Sequence, residues 1–247
     1  MNNIKLEKII NQYLKIDNYQ DYSPNGLQVE GRSEICKIVT GVTASQALLN
    51  EGIKLSADAI IVHHGYFWKN EPQVILNMKR NRLKTLLCNN MNLYSYHLPL
   101  DCHPIIGNNI QLGNLMEVEI ESYITPFLPI GKFTKSITAD NLISRLSNRL
   151  NRQPLYCGDN GPIKIHKIAW STGSSQDLIQ KAAEAGADAF VTGEVSEQTI
   201  HIAREMKIHF YAAGHHATEK FGVKLLGEWL NKNYGFQVIF IDINNPV

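Results

Sequence analysis

Long hydrophobic runs, paired cysteines and a strong net charge are all missing from this sequence. No stretch approaches the roughly 18 consecutive apolar residues of a membrane-spanning helix, so no membrane partner is expected. The four cysteines are scattered without a C-x-x-C pair, which argues against a disulfide framework and a cysteine-based zinc site. They suit a reducing compartment, and we predict a cytoplasmic protein. A net charge of +1 gives no bulk attraction to nucleic acid.

What the sequence does have is an ordinary globular composition, with 44% hydrophobic and 19% charged residues in a chain of 247. The first residues, MNNIKLEKIINQYLKI, place apolar side chains at helical spacing between charges. This pattern predicts an amphipathic helix rather than a signal peptide.

An internal repeat organises the chain. Residues 37–64 align without a gap on residues 167–194, and eight of the 28 positions are identical. Each copy reads as a strand, a serine-containing turn, a helix and a second apolar strand. Ser45 or Ala44 in the first copy, and Ser174 or Ser175 in the second, are expected at the N-cap positions of the helices. A strand–helix–strand unit implies parallel strands covered by helices.

We therefore predict two similar α/β domains that arose by internal duplication, with largely parallel sheets flanked by helices. The first half is expected to cover residues 1–125 and the second half residues 126–247, with an exchange of elements between the halves as the alternative.

Histidines follow the strands of the repeat. His63 and His64 end the second strand of the first copy, and His97 lies four residues before Asp101. One interpretation of the doublet is that one histidine is buried in the core with its hydrogen bonds made, and that the other is exposed to solvent. However, the carboxyl ends of parallel strands are where α/β sheets present ligand-binding groups. Pro99 is expected to prevent a helix between His97 and Asp101, which leaves a loop.

The second half carries the matching pair His215 and Glu219, also four residues apart. Helical spacing places both in the first turn of a long helix, on one face. Without His97, the candidates offer three imidazoles and two carboxylates. This mixture suits Zn, Fe(II), Mn or Co better than Ca or Mg. Five ligands exceed the usual three of one catalytic zinc and favour two metal ions. These five residues are His63, His64, Asp101, His215 and Glu219.

Other candidates are weaker. Glu194 either is a solvated loop residue or faces the same cavity, and Tyr66, Phe67 and Trp68 are expected to be core or interface aromatics. The densest basic run is typical of a solvated helix face, and the alternative is a nucleic-acid contact. It comprises Lys79, Arg80, Arg82 and Lys84.

Several motifs in chain order resemble the GTP cyclohydrolase 1 type 2 homologue family, the NGG-interacting-factor-like proteins. They are YSPNGLQVEG (22–31), GVTAS (41–45), VHHGYFW (62–68), YHLPLDCHP (96–104), TGEVSEQ (192–198) and AGHHATEKFG (213–222). The chain departs from many relatives at Thr43, where they have aspartate.

The resemblance implies a two-domain α/β fold, a toroidal homohexamer and a dinuclear divalent-metal site in each subunit, with the five ligands named above. The metals would be Fe, Zn or Mn. It further implies a cyclohydrolase-like activity on GTP or another nucleotide, and a link to tolerance of DNA damage. His97 matches a histidine near the site, where it either transfers a proton or orients a ligand.

Three functions follow as hypotheses. The first is a metal-dependent hydrolase of a small molecule or nucleotide, with His97 as the catalytic proton carrier. The second is a non-enzymatic ring protein that binds metal or a partner, since no base-recognition or phosphate-cradling motif is present. The third is a protein that threads DNA through a ring with a basic lumen.

Overall fold

Eleven strands and nine α-helices make up the chain in a computed structural model that describes residues 1–247. The strands are β1 (Gly26–Val29), β2 (Lys37–Thr43), β3 (Ala59–His64), β4 (Asn92–Ser95), β5 (Glu119–Thr125), β6 (Leu128–Ile137), β7 (Leu155–Cys157), β8 (Ile165–Trp170), β9 (Ala189–Thr192), β10 (His209–Ala212) and β11 (Gln237–Phe240). The helices are α1 (Asn3–Leu14), α2 (Gln46–Lys54), α3 (Asn77–Cys88), α4 (Leu98–Cys102), α5 (Asn108–Met116), α6 (Ala139–Leu150), α7 (Ile179–Glu184), α8 (Glu197–Glu205) and α9 (His215–Tyr234).

The strands form two sheets. The first has the order β1-β4-β3-β2-β11, in which all pairings are parallel except that of β1 with β4. The second has the order β5-β6-β8-β9-β10-β7, in which β8, β9 and β10 are parallel and the outer pairings are antiparallel. The predicted α/β class is confirmed, and each sheet has a parallel core within a mixed sheet.

The duplication is visible in matching hydrogen bonds. Asp58 accepts the backbone N–H of Lys37 at 2.9 Å, and Asp188 accepts that of Lys167 at 2.9 Å. The Nζ groups of these two lysines donate to Leu55 and Ala185, the carbonyls at equivalent helix ends. The Lys–Asp identities of the repeat therefore preserve one local hydrogen-bond arrangement in each sheet.

The first sheet buries side chains on both faces, because successive residues of a strand point to opposite sides. Ile61 packs in a cluster with α1 and α9, whereas Ile60 and Val62 pack in another with α2 and Leu83 of α3. Ser45 caps α2 as predicted, since its side chain accepts the Leu48 N–H. The amphipathic helix expected at the N-terminus is α1.

In the second copy the expected serine cap is absent. Ser175 Oγ instead donates to the Thr172 carbonyl at 3.1 Å, and a 3₁₀ turn (Gln176–Leu178) precedes α7. The Ser175 hydroxyl therefore stabilises a turn within the loop and does not cap α7.

Two compact units contain these sheets. Unit 1 comprises residues 1–106 and 220–244, and unit 2 comprises residues 107–219 and 245–247. They do not coincide with the predicted halves 1–125 and 126–247. The segment 220–244 belongs to unit 1 because β11 pairs with β2 and α9 contributes Leu226 and Leu230 to the core of that unit.

The predicted loop between His97 and Asp101 is wrong, because α4 occupies it. Pro99 lies in the first turn of this short helix. There a backbone N–H has no partner within the helix, so the proline costs no hydrogen bond.

Candidate metal centre

His63 is the buried member of the histidine doublet at the end of β3. Its Nδ1 lies 3.0 Å from the carbonyl oxygen of Tyr96. A carbonyl only accepts hydrogen bonds, so Nδ1 carries the proton and Nε2 has the lone pair that can bind a metal. The parallel pairing of β3 with β4 brings these two segments together.

His64 is half-buried, and its orientation depends on β2. Thr43 and His64 are paired residues of β2 and β3, and Thr43 Oγ1 lies 3.1 Å from His64 Nδ1. Thr43 is thus the hydrogen-bonding partner of a predicted metal ligand.

His97 is held by Asp21, which the sequence analysis did not single out. Its Nδ1 lies 2.7 Å from Asp21 Oδ1, and the Asp21 side chain is 4% exposed. Asn25 and the backbone N–H of Leu98 donate to the second oxygen, both at 2.9 Å. Burial alone raises the pKa of Asp21, but the hydrogen bonds from His97, Asn25 and Leu98, with the charge of His97, lower this pKa to about 2.

Asp101 completes the group in unit 1. Its carboxylate Oδ1 lies 3.5 Å from His63 Nε2, which is close to the roughly 3.3 Å that separates two ligands of a tetrahedral ion bound at about 2.0–2.1 Å. One ligand nitrogen from each of His63, His64 and His97 lies within 4.8 Å of the others. Unit 1 therefore brings together three imidazoles and a carboxylate that could bind a metal ion.

Unit 2 contains a second group, at the start of α9. His215 Nε2 lies 3.0 Å from Glu219 Oε2, one helical turn away as the spacing predicts, and His215 Nδ1 lies 2.5 Å from Glu194 Oε1. Burial lowers the pKa of His215, but hydrogen bonding and charge from Glu219 and then Glu194 raise this pKa to about 9. The imidazole is held between two carboxylates.

The loop around Gly173 makes room for this group. Gly173 has a left-handed backbone (φ +65°), and a side chain there would overlap the Glu219 carboxylate. Its N–H donates to Thr218 Oγ1 at 3.1 Å. Gly173, in the segment STGSS (171–175), therefore allows the loop to pack closely against Glu219.

The four histidines share one feature. Each has Nδ1 against an oxygen and Nε2 on the opposite side of the ring, and histidines that bind metals in proteins are oriented in this way. The oxygens belong to Tyr96, Thr43, Asp21 and Glu194. The donor set of imidazole nitrogens and carboxylate oxygens fits Zn, Fe or Mn.

The aromatic residues near the doublet divide between two roles. Tyr66 is a core residue whose hydroxyl donates to the Ala44 carbonyl at 2.8 Å. Trp68 contacts His97 edge-on, with ring centroids 5.0 Å apart. The basic run lies on α3, where Leu83 and Leu86 are buried, Arg80 and Lys84 are exposed, and Lys79 and Arg82 are half-buried.

Comparison with known proteins agrees with the motifs. A sequence model of the family described as Duf34/NIF3 (NGG1p interacting factor 3) matches residues 1–246. The chain belongs to the Duf34/NIF3 family. A Yersinia pestis relative named GTP cyclohydrolase 1 type 2 homolog is 60% identical over 246 residues, with all of both chains covered. The Escherichia coli K12 protein of the same name is 57% identical over the same length, also with full coverage.

Solved structures of the Duf34/NIF3 family give the same fold. A chain described as protein ybgI, of unknown function, has a TM-score of 0.98 at 57% identity over all of both chains. The protein TTHA1606 from Thermus thermophilus has a TM-score of 0.91 at 32% identity, again with full coverage. The predicted family and two-domain α/β fold are confirmed. None of the helices combines the length and hydropathy that crossing a membrane requires.

Proposed function

We propose that this Duf34/NIF3 protein is a divalent-metal-dependent hydrolase that acts on a small molecule, with nucleotides as the first substrate class to test. The observation that supports it best is the shared orientation of the four histidines, each held by an oxygen at Nδ1 with Nε2 on the opposite side of the ring. Histidines that bind metals in proteins are usually held in this way by an oxygen at the other ring nitrogen.

The proposed metal ligands are the five residues predicted from the sequence. They are His63, His64, Asp101, His215 and Glu219. Two ions of Zn, Fe or Mn per subunit would account for five ligands better than one ion. When bound, such ions lower the pKa of a coordinated water towards neutrality and polarise the bond to be hydrolysed.

His97 is proposed to transfer the proton during hydrolysis. Asp21 fixes its ring through Nδ1, and the opposite nitrogen then points away from the carboxylate. A buried carboxylate that holds a histidine in one tautomer is the arrangement by which hydrolases prepare a general base. Trp68 packs edge-on against the same ring.

The choice of nucleotide rests on relatives. The Yersinia pestis and Escherichia coli proteins carry the name GTP cyclohydrolase 1 type 2 homolog. GTP ring opening is therefore the first reaction to assay, followed by a panel of purine nucleotides. A link to DNA-damage tolerance is proposed on the resemblance alone.

The test combines metal analysis with turnover. Protein loaded with Zn, Mn or Fe(II) is expected to turn over a nucleotide, to lose turnover with a chelator and to regain it with metal. His64→Ala and Glu219→Gln are expected to abolish turnover and to reduce bound metal. His201→Ala is the matched control, because His201 is an exposed histidine paired with Glu197 at 2.8 Å.

The metal stoichiometry of the variants adds a second readout. Each of the two substitutions is expected to lower the number of metal ions bound per chain. Metal-loaded protein that is inert towards the nucleotide panel and towards a metabolite screen would contradict the hydrolase and favour the non-enzymatic metal-binding protein.

Assembly and location are further proposals. We propose the toroidal homohexamer that the resemblance implies, and light scattering should then give six times the chain mass of 27.9 kDa. We also propose a cytoplasmic location, on the ground that the four cysteines form no disulfide. Nucleic acid is not proposed as a partner, because two of the four basic residues of α3, Lys79 and Arg82, are half-buried, and Lys79 is paired with Glu71.

A further inference from the structure

In each unit, a carboxylate lies against the Nδ1 atom of a histidine that follows an equivalent strand. His97 and His215 follow equivalent strands, β4 and β10, and each is followed four residues later by an acidic residue. Each also has its Nδ1 on a carboxylate, Asp21 for His97 and Glu194 for His215. The Nδ1 atoms of His63 and His64 instead face a carbonyl and a hydroxyl.

The two carboxylates come from unrelated places. Asp21 lies in the segment before β1, at a separation of 76 residues from His97. Glu194 follows β9, at the repeat position of His64, and lies 21 residues from His215. The duplication therefore does not account for both carboxylates, and the same interaction is made from two different segments. This recurrence indicates that a carboxylate at Nδ1 is required for the role of each histidine.

Both carboxylates are themselves held in place. Asp21 accepts hydrogen bonds from Asn25 and from two backbone N–H groups, those of Tyr22 and Leu98. Glu194 Oε2 accepts from Ser174 Oγ at 3.2 Å, and its other oxygen faces His215. A fixed carboxylate orients an imidazole and increases the electron density at the opposite nitrogen.

We propose that Asp21 and Glu194 are positioning residues, each of which takes the Nδ1–H of its histidine and so presents Nε2 for chemistry. Glu194 would act on the metal ligand His215, and Asp21 on the proton carrier His97. The inference rests on the proposed function for the roles of these two histidines. The hydrogen bond at each Nδ1 can be tested separately from that function.

The experiment uses the full chain with Glu194→Ala, Glu194→Gln and Asp21→Asn. Glu197→Gln is the matched control, because Glu197 forms an exposed pair with His201 and its side chain is 86% exposed. The imidazole N–H signals of His97 and His215 are followed by NMR, and zinc affinity is measured by competition with a chelating dye. Backbone amide spectra establish that each variant is folded.

In the native chain both Nδ1 protons are expected to be strongly deshielded and slow to exchange. Glu194→Ala should remove this signal for His215 and weaken zinc binding by about 10- to 100-fold. Glu194→Gln should keep a weaker hydrogen bond and an intermediate affinity, since an amide oxygen still accepts. Asp21→Asn should shift the His97 signal upfield, and Glu197→Gln should change neither signal.

A folded Glu194→Ala protein that keeps either the native His215 signal or the native zinc affinity would overturn the role of Glu194. An unchanged His97 signal in Asp21→Asn would do the same for Asp21. If the unsubstituted protein binds no Zn, Mn or Fe, the proposed function fails, and the imidazole spectra still decide the inference. If it binds metal without turnover, the hydrolase fails and the positioning role is unaffected.

Discussion

The backbone of Gly173 lies against the carboxylate of Glu219, with no room between them for a side chain. This contact connects the loop that follows β8 to a predicted metal ligand within unit 2. Because Gly173 also has φ +65°, the position excludes larger residues for two separate reasons, crowding and backbone strain.

We expect Gly173→Ala to weaken metal binding by about 10-fold or more, because the methyl group must displace the Glu219 carboxylate from its position. Gly186→Ala is the matched control. It has a similar φ of +78°, but no atom lies within 4 Å of an added methyl group. The control should therefore lose stability, by about 1 kcal/mol from backbone strain, without losing metal. Isothermal titration with zinc and thermal unfolding measure the two effects; equal metal affinity in both variants would contradict the prediction.

Substitutions of Thr43 are expected to change the strength with which His64 binds a metal ion. Thr43→Asp should tighten zinc binding, because a carboxylate on Nδ1 makes Nε2 a better ligand, whereas Thr43→Val removes the acceptor and should weaken binding by about 10-fold. Thr43 is exposed, so neither change should disturb the core. Competition with a chelating dye gives the affinities, and the order Asp, Thr, Val is the expected result. Indistinguishable affinities would show that the 3.1 Å contact has no influence on the ligand.

Asp188→Ala should destabilise the protein by roughly 1–2 kcal/mol, because two backbone N–H groups lose a charged acceptor. These groups belong to His166 and Lys167, at 2.8 and 2.9 Å. Asp177→Ala is the control, since the Asp177 carboxylate accepts from a side chain, that of Gln198, on the surface. Urea denaturation compares the two, and a midpoint for Asp188→Ala as high as that of the control would contradict the structural role of the repeat.

Alkaline pH is expected to unfold the protein through its buried tyrosines. Burial raises the pKa of Tyr66, Tyr94, Tyr96 and Tyr211. In the unfolded chain these phenols ionise near pH ~10, so above that pH the unfolded state releases protons that the folded state retains. Stability is therefore unaffected at lower pH and falls as the pH rises past this value.

The measurement is tyrosinate absorbance alongside circular dichroism. The four buried phenols should ionise together with the loss of structure, and Tyr211→Phe should reduce the amplitude of that step. Ionisation of all ten tyrosines before any loss of ellipticity would contradict the prediction.

Local patterns predicted some parts of this protein well. The strand–helix–strand repeat and the pairing of His215 with Glu219 follow from periodicity, because residues four apart on a helix are neighbours whatever surrounds them. The error at Pro99 had a local cause too: proline was treated as a helix breaker, although in the first turn it is compatible with a helix. Ser175 was expected to cap a helix, but its hydroxyl satisfies a nearer carbonyl in its own loop.

The sequence by itself determined the family, the duplicated α/β architecture and the residue types available for metal binding, since each of these depends on spacing along the chain. Only the tertiary structure decided which oxygen faces each histidine, and that the segment 220–244 belongs to unit 1. Asp21 and His97 meet because β1 pairs with β4 and places the segments beside these strands together. Contacts of this kind depend on how distant segments pack, and no periodicity within either segment encodes them.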